Sequence, residues 1–362
     1  MGHETQAQTM KIDRSTPVLV TGANGYVASW VVKRLLDGGA TVHAAVRAPD
    51  DAARTEHLHR LAHGAPGKLR LFRADLLDAG SYASAMSECG VVFHTASPFV
   101  TRVKDPQREL IDPALLGTRN VLEEASRTDS VQRVVVTSSC AAIYSDAIDC
   151  ARAPGGKLTE AIWNTTASLD YQPYSYSKTL AEREAWRLAE AQSRWRLVVV
   201  NPSLVIGPAL QKRPSSESFN IVRQLADGTM KQGAPRFALG VVDVRDLADA
   251  HLAAAYLPDA EGRHIISAHD TDILELGRAL LREFGDRYPL PRRALPKWLL
   301  WLVGPLVKGG LPRRIIARNV DVPWHADHGK SVRALGMHYR PLQESMVDMF
   351  SRMIDDGMLP KR

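Results

Sequence analysis

The run Val18-Leu19-Val20-Thr21-Gly22-Ala23-Asn24-Gly25-Tyr26-Val27-Ala28 is where the fold of this chain is decided. A β-branched run, a turn with two glycines and an apolar helical start follow one another without a spacer. Gly22 permits the tight turn, Gly25 lets the backbone come close to a pyrophosphate, and Ala28 is small enough for the helix to lie tightly on a sheet. The first amides of a helix have no partner inside it, so Thr21, Gly22, Asn24, Gly25, Tyr26 and Val27 are candidates for the phosphate cradle. The spacing is G-x-x-G-x-x-A rather than G-x-G-x-x-G, a definite departure from the dinucleotide fingerprint.

Outward from this turn, short β-branched runs alternate with helical stretches as far as about Asn201. Strands are predicted at Val18–Val20, Thr41–Val46, Leu69–Phe72, Val91–His94, Arg133–Thr137 and Leu197–Asn201. Helices are predicted around Tyr26–Leu36, Ser81–Glu88, Pro113–Ser126 and Tyr174–Gln192, where apolar residues recur at three- and four-residue spacing. The pattern predicts an α/β Rossmann-type fold, a doubly wound parallel sheet with a smaller C-terminal substrate-binding region. The expected division is a flexible tail over 1–16, a nucleotide-binding domain over 17–204 with a return at about 236–257, and a substrate-binding region over 205–235 and 258–362.

Composition narrows the function. The 362 residues are 45% apolar, enough for a large core, and net charge is +6. The charges read as scattered, with no basic run interleaved with aromatics, so no nucleic-acid partner is expected. Cys89, Cys140 and Cys150 are odd in number and irregularly spaced, which suggests neither a disulfide framework nor a metal site and fits a reducing cytoplasm. Residues 1–16 lack the apolar core of a signal peptide. Leu295–Val307 holds Trp298 and Trp301 among leucines but falls short of the ~20 apolar residues of a membrane span. Two readings of that segment compete, a helix packed on the substrate region or a flap lining a pocket for a bulky apolar substrate, and a contact with a membrane surface is left open beside them.

Several side chains carry the chemistry. Where a ribose 2′-hydroxyl is bound, an acid is expected at the end of the second strand, and here Arg47 stands instead. A guanidinium there pairs with a 2′-phosphate, with Arg54 a second contact, so the expected cofactor is NADP(H). Asp75, beside Leu76, is placed to accept from an adenine amino group, or equally to cap a helix. Reduction of a carbonyl needs a hydride, supplied by nicotinamide, and a proton donor. Tyr174 and Lys178, four residues apart on one helix, share a face. A tyrosine has a pKa of about 10, and a neighbouring cation favours its phenolate. Tyr176 has no lysine four residues on and is the poorer candidate. Ser139, with Ser138 the near alternative, ends the fifth strand and can hydrogen-bond the substrate oxygen as charge develops.

Together these residues resemble the extended short-chain dehydrogenase/reductase family, and within it the dihydroflavonol reductase and cinnamoyl-CoA reductase group. The turn Val20–Trp30, the strand end Ala45-Val46-Arg47, and Ala74–Leu77 followed by Val92–Pro98 carry the likeness, with Val136–Ser139, Tyr174–Glu182 and Asn201–Pro208. The resemblance implies that Thr95, Ala96 and Ser97 lie along the cofactor and that Pro202, Ser203, Leu204 and Val205 pass beside the nicotinamide. It also implies that Tyr144–Gln172, with Glu160 and Trp163, covers the cleft, and that Lys178 holds the nicotinamide ribose. Beyond Glu283 the chain looks unlike the plant enzymes and similar to bacterial relatives. The expected activity is NADPH-dependent reduction of a ketone or aldehyde on a bulky hydrophobic or aromatic small molecule; homodimer formation is left open.

Rival readings share the fold. A nucleotide-sugar dehydratase would need an acid beside the serine, where Cys140-Ala141-Ala142 stands, and an epimerase would favour retained NAD, which Arg47 opposes. A non-catalytic dinucleotide sensor would not need the Tyr174–Lys178 pair. A 3β-hydroxysteroid-type dehydrogenase, running the chemistry on a sterol in the oxidative direction, is the nearest rival.

Overall fold

A computed structural model describes residues 11–97, 103–306 and 310–360. Its strands are β1 (Val18–Thr21), β2 (Thr41–Val46), β3 (Lys68–Arg73), β4 (Val91–His94), β5 (Arg133–Thr137), β6 (Arg196–Pro202), β7 (Leu204–Ile206), β8 (Ala238–Asp243), β9 (Gly262–Ile266) and β10 (His269–Asp272). Seven of them form a sheet in the order β3-β2-β1-β4-β5-β6-β9, with every neighbouring pair parallel. The order reverses between β1 and β4, and in open parallel sheets the crevice beyond the strand ends at such a reversal is where ligands bind. The central strands β1, β4 and β5 are almost wholly buried, as parallel strands covered on both faces must be.

The helices are α1 (Tyr26–Asp37), α2 (Ala52–Ala62), α3 (Ala83–Met86), α4 (Asp112–Arg127), α5 (Ala147–Arg152), α6 (Pro173–Glu190), α7 (Glu217–Asp227) and α8 (Val244–Tyr256). After them come α9 (Ile273–Arg278), α10 (Leu281–Phe284), α11 (Lys297–Val303), α12 (Arg313–Asn319), α13 (Gly329–Leu335) and α14 (Leu342–Asp355). One face of the sheet is covered by α1 and α8, which pack on each other, and the other by α4 and α6. Ser29 in α1 is fully buried and returns its hydroxyl to the Gly25 carbonyl at 2.7 Å, so a polar residue is accommodated where the helix meets the core.

Differences from the predicted elements have physical causes. The return read at about 236–257 divides between two sheets: α8 lies on the large sheet, whereas β8 pairs with β7 and β10 in a separate three-stranded sheet. The seventh large-sheet strand is instead β9, unread because Gly262-Arg263-His264 lacks a strand's apolar pattern. Both Arg263 and His264 are nevertheless buried. The helix expected over Ser81–Glu88 shortens to α3, since Glu88 takes a positive φ of 64°. Of the tail expected over 1–16, positions 1–10 lie outside the described residues, and Ile12 is not loose but packs against the core beside Gly38. The three cysteines are buried and unpaired with one another.

Candidate active site

The turn after β1 is built for close approach. Gly22 has φ +60°, and a Cβ on it would stand 3.0 Å from the Cβ of Ala96. Gly25 caps α1 with no side-chain hydrogen bond and no acid follows in the first turn, so the amides of Tyr26 and Val27 open the helix without an internal partner. Not every residue of the predicted cradle turns its side chain toward it. The Tyr26 ring is buried against Phe219 and its hydroxyl donates to the Gly207 carbonyl at 2.7 Å. Thr21 is buried too: its Oγ1 accepts from the Ala96 amide at 3.0 Å and lies 3.1 Å from His94 Nδ1, while its carbonyl accepts from the Thr95 hydroxyl. These two side chains brace β4 and the loop after β7 against the turn.

At the end of β2, Arg47 is exposed and makes no ion pair among the described residues, whereas Arg54 is paired with Asp51 at 3.1 Å and Arg73 with Asp50 at 3.4 Å. Asp75 uses one oxygen to cap the Leu77 amide at 2.9 Å, the local turn rather than a helix cap. Leu76 packs so closely on Gly117 that a Cβ there would come within 3.1 Å, which holds α4 tight to the cleft. Pro98 lies outside the described residues.

The end of β5 separates the two serines. Ser138 is buried and its hydroxyl donates to Glu182, while Ser139 faces the Tyr174 phenol. Tyr174 stands in the first turn of α6, after Gln172 at φ +54° and Pro173, and its residue surface is 41% exposed. Burial pushes the phenol's pKa up and the hydrogen bond with Ser139 opposes that rise. The lysine-driven lowering expected from sequence is not the governing influence, because the Lys178 ammonium points to Ser97 Oγ at 2.8 Å and lies 5.8 Å from the Tyr174 ring centroid. Burial lowers Lys178 to about 8, with Glu182 acting against it. His94 is pushed down to about 3 by burial and by the Lys178 charge, so it stays neutral beside the crevice.

Pro202 to Val205 links the two sheets, leaving β6 at Pro202 and entering β7 at Leu204. The Ser203 hydroxyl is buried without a hydrogen-bond partner among the described residues, a polar group that a bound molecule could satisfy. The uncapped α1 amides, the Gly22–Ala96 contact and this orphan hydroxyl together fit a dinucleotide.

Sequence reading missed the support beneath. Glu182 is fully buried and ion-paired with Arg263 Nε at 2.5 Å, and it also accepts from Asn201 Nδ2 at 2.7 Å. Arg263 in turn donates to the carbonyls of Glu160 at 2.8 Å and Ile162 at 2.6 Å and lies 4.0 Å from the Trp163 ring. One buried ion pair therefore joins the β5 end, α6, β9 and the loop holding Trp163. Glu182 was visible four residues after Lys178, but its partner was hidden in the unread β9.

This sheet order, this turn and this crevice define a Rossmann-type enzyme that handles a nicotinamide dinucleotide. Residues 18–267 match the NAD dependent epimerase/dehydratase family, and the chain belongs to that family as an NAD(P)-dependent oxidoreductase of the extended short-chain dehydrogenase/reductase type. It is 38% identical to a cinnamoyl-CoA reductase of Medicago truncatula over 332 residues, 91% of this chain and 93% of that one. It is 34% identical to a tetraketide alpha-pyrone reductase of Arabidopsis thaliana over 350 residues, covering 94% and 96% of the two chains. The structure is similar to Gre2 of Candida albicans complexed with NADPH, with a TM-score of 0.75, 27% identity and coverage of 94% and 99%. A match spanning 91% of the chain necessarily runs past Glu283, so the likeness to plant enzymes extends further than expected from sequence.

Proposed function

We propose that this protein reduces a ketone or aldehyde on a bulky aromatic or otherwise apolar small molecule, using NADPH. The observation that carries the reading is the convergence at the β5 edge: Ser139 faces the Tyr174 phenol, with Lys178 one helical turn below. The cofactor supplies the hydride when bound. Tyr174 then donates the proton to the oxygen that becomes a hydroxyl, Ser139 hydrogen-bonds that oxygen as it gains charge, and Lys178 carries a positive charge beneath both. Thr95, Ala96, Ser97 and the Pro202–Val205 segment would line the nicotinamide side, and Arg47 would take the 2′-phosphate that distinguishes NADPH from NADH. An aromatic or polyketide-like substrate is favoured by the names of the relatives, which act on cinnamoyl-CoA and a tetraketide alpha-pyrone.

A dehydratase needs a free acid beside the serine. Glu182, the carboxylate that meets Ser138, is committed to Arg263. The test is consumption of NADPH by the full-length protein with aromatic aldehydes, hydroxycinnamoyl thioesters, cyclic ketones and 3-ketosteroids, beside NADH controls. Turnover of aromatic carbonyls with NADPH is the expected result. Turnover confined to oxidation of 3β-hydroxysteroids, or release of water from a nucleotide sugar without net cofactor use, would replace this reading.

A further inference from the structure

The basic character of the chain is not spread over it. Between Asp286 and Asp321 there are eight lysines and arginines and no aspartate or glutamate. The whole chain carries +6, so this segment at +8 leaves −2 for everything else. The reading of scattered charge therefore fails here.

Among the described residues the same segment holds the two most exposed large apolar side chains and several more. Leu306 is 79% exposed, Trp298 68%, Leu302 53% and Trp301 46%, and α11 buries none of its residues. Of the alternatives left open by the sequence, neither the buried helix nor the pocket lining accounts for this exposure, and the surface contact remains. A cation borders the patch: exposed Arg313 lies 4.4 Å over the Trp301 ring, whereas its neighbour Arg314 stacks on Tyr171 at 3.5 Å. The patch is firmly mounted, because Lys297 at the start of α11 donates to the Ala317 and Val320 carbonyls at the end of α12.

We propose that α11 and the turn through Leu306 form a docking face for an anionic lipid surface. Tryptophan and leucine enter the boundary between headgroup and acyl chain, and Arg313 beside Trp301, in a segment rich in cations and free of acids, is drawn to anionic headgroups. No helix among the described residues is long and apolar enough to cross a membrane, so the contact is with the surface. A second copy meeting the same face about a two-fold axis would bring two segments of like positive charge together, which opposes such a dimer. A nucleic acid would engage the arginines and indoles but leave the leucines without a partner.

The experiment is sedimentation of full-length protein with vesicles of phosphatidylcholine alone and of phosphatidylcholine mixed with phosphatidylglycerol, with tryptophan emission read in parallel. Retention about tenfold stronger on the anionic vesicles, lost in high salt and accompanied by a blue shift, is expected. Trp298→Ser with Leu306→Ser should reduce retention by about tenfold or more, and Arg313→Glu should remove the preference for anionic vesicles. Melting curves of the variants check folding; if one melts early, the comparison of vesicle compositions with unaltered protein decides alone. No retention, or equal retention on neutral and anionic vesicles, overturns the proposal. So does a dimer of the unaltered protein that Trp298→Ser converts to monomer, or retention on duplex DNA in place of vesicles.

Discussion

At the residue scale the candidate site separates into groups that would meet the reacting atoms and groups that hold them. Tyr174→Phe deletes only a hydroxyl, so turnover should fall by at least about a hundredfold while NADPH still binds in a fluorescence titration. Lys178→Ala should impair both. Arg47→Ala removes a charge-assisted contact with phosphate, expected to cost about 1.5–3 kcal/mol, or roughly a tenfold to hundredfold loss of NADPH affinity, with NADH little changed. Equal use of both cofactors by the unaltered protein would sink that assignment. Lys178 adds a pH dependence. Burial lowers it to about 8 from an ordinary 10.5, so the ammonium is lost as pH rises through about 8, and kcat/KM for reduction should decline there. Glu182 opposes the lowering, so Glu182→Gln should move the decline to lower pH. For stability the sign is opposite: between about 8 and 10.5 the unfolded lysine keeps a proton the folded one has released, and that contribution grows with pH.

At the scale of elements, strands covered on both faces were legible because burial demands continuous β-branched runs, as in Val134-Val135-Val136 of β5. The α1 turn was legible for a different reason, since only glycine accepts φ +60° against Ala96. Gly22→Ala should cost about 1–2 kcal/mol for the backbone alone and further weaken NADPH binding by displacing Ala96. Hidden from sequence was whatever depended on a distant partner. Arg263 makes β9 look like a loop until Glu182, 81 positions earlier, is placed against it. Ser139 could be preferred to Ser138 from sequence but not separated from it, because only the strand's register sends one to Glu182 and the other toward Tyr174. Removing one partner of a buried pair leaves the other uncompensated, so Arg263→Ala should lower stability by about 3–5 kcal/mol in urea titration. A loss below about 1 kcal/mol would show the pair to be solvated and not a structural joint.

Over the whole molecule, the C-terminal segments are joined to the start of α6 through one buried carboxylate. Asp146 accepts from the Tyr171 hydroxyl at 2.7 Å, from Arg318 Nε at 2.6 Å and from Asn319 Nδ2 at 2.8 Å, so α12 is held to the turn that presents Tyr174. Asp146→Ala should therefore lower kcat/KM about tenfold with NADPH affinity intact, because the disturbance reaches Tyr174 and not the cofactor cradle. This joint could not be read from sequence, as its members are separated by up to 173 positions. The three buried cysteines provide a way to follow such events. Burial raises the thiol of Cys89 to about 12 and lifts those of Cys140 and Cys150 as well, so none is a thiolate at neutral pH. Cys89 sits in the core beneath β1 and β4, whereas Cys140 and Cys150 belong to the cluster under the Trp324 side of the cleft. Alkylating reagents should therefore stay unreactive until a region opens, and the order in which the thiols are modified becomes a clock for which half of the molecule breathes first.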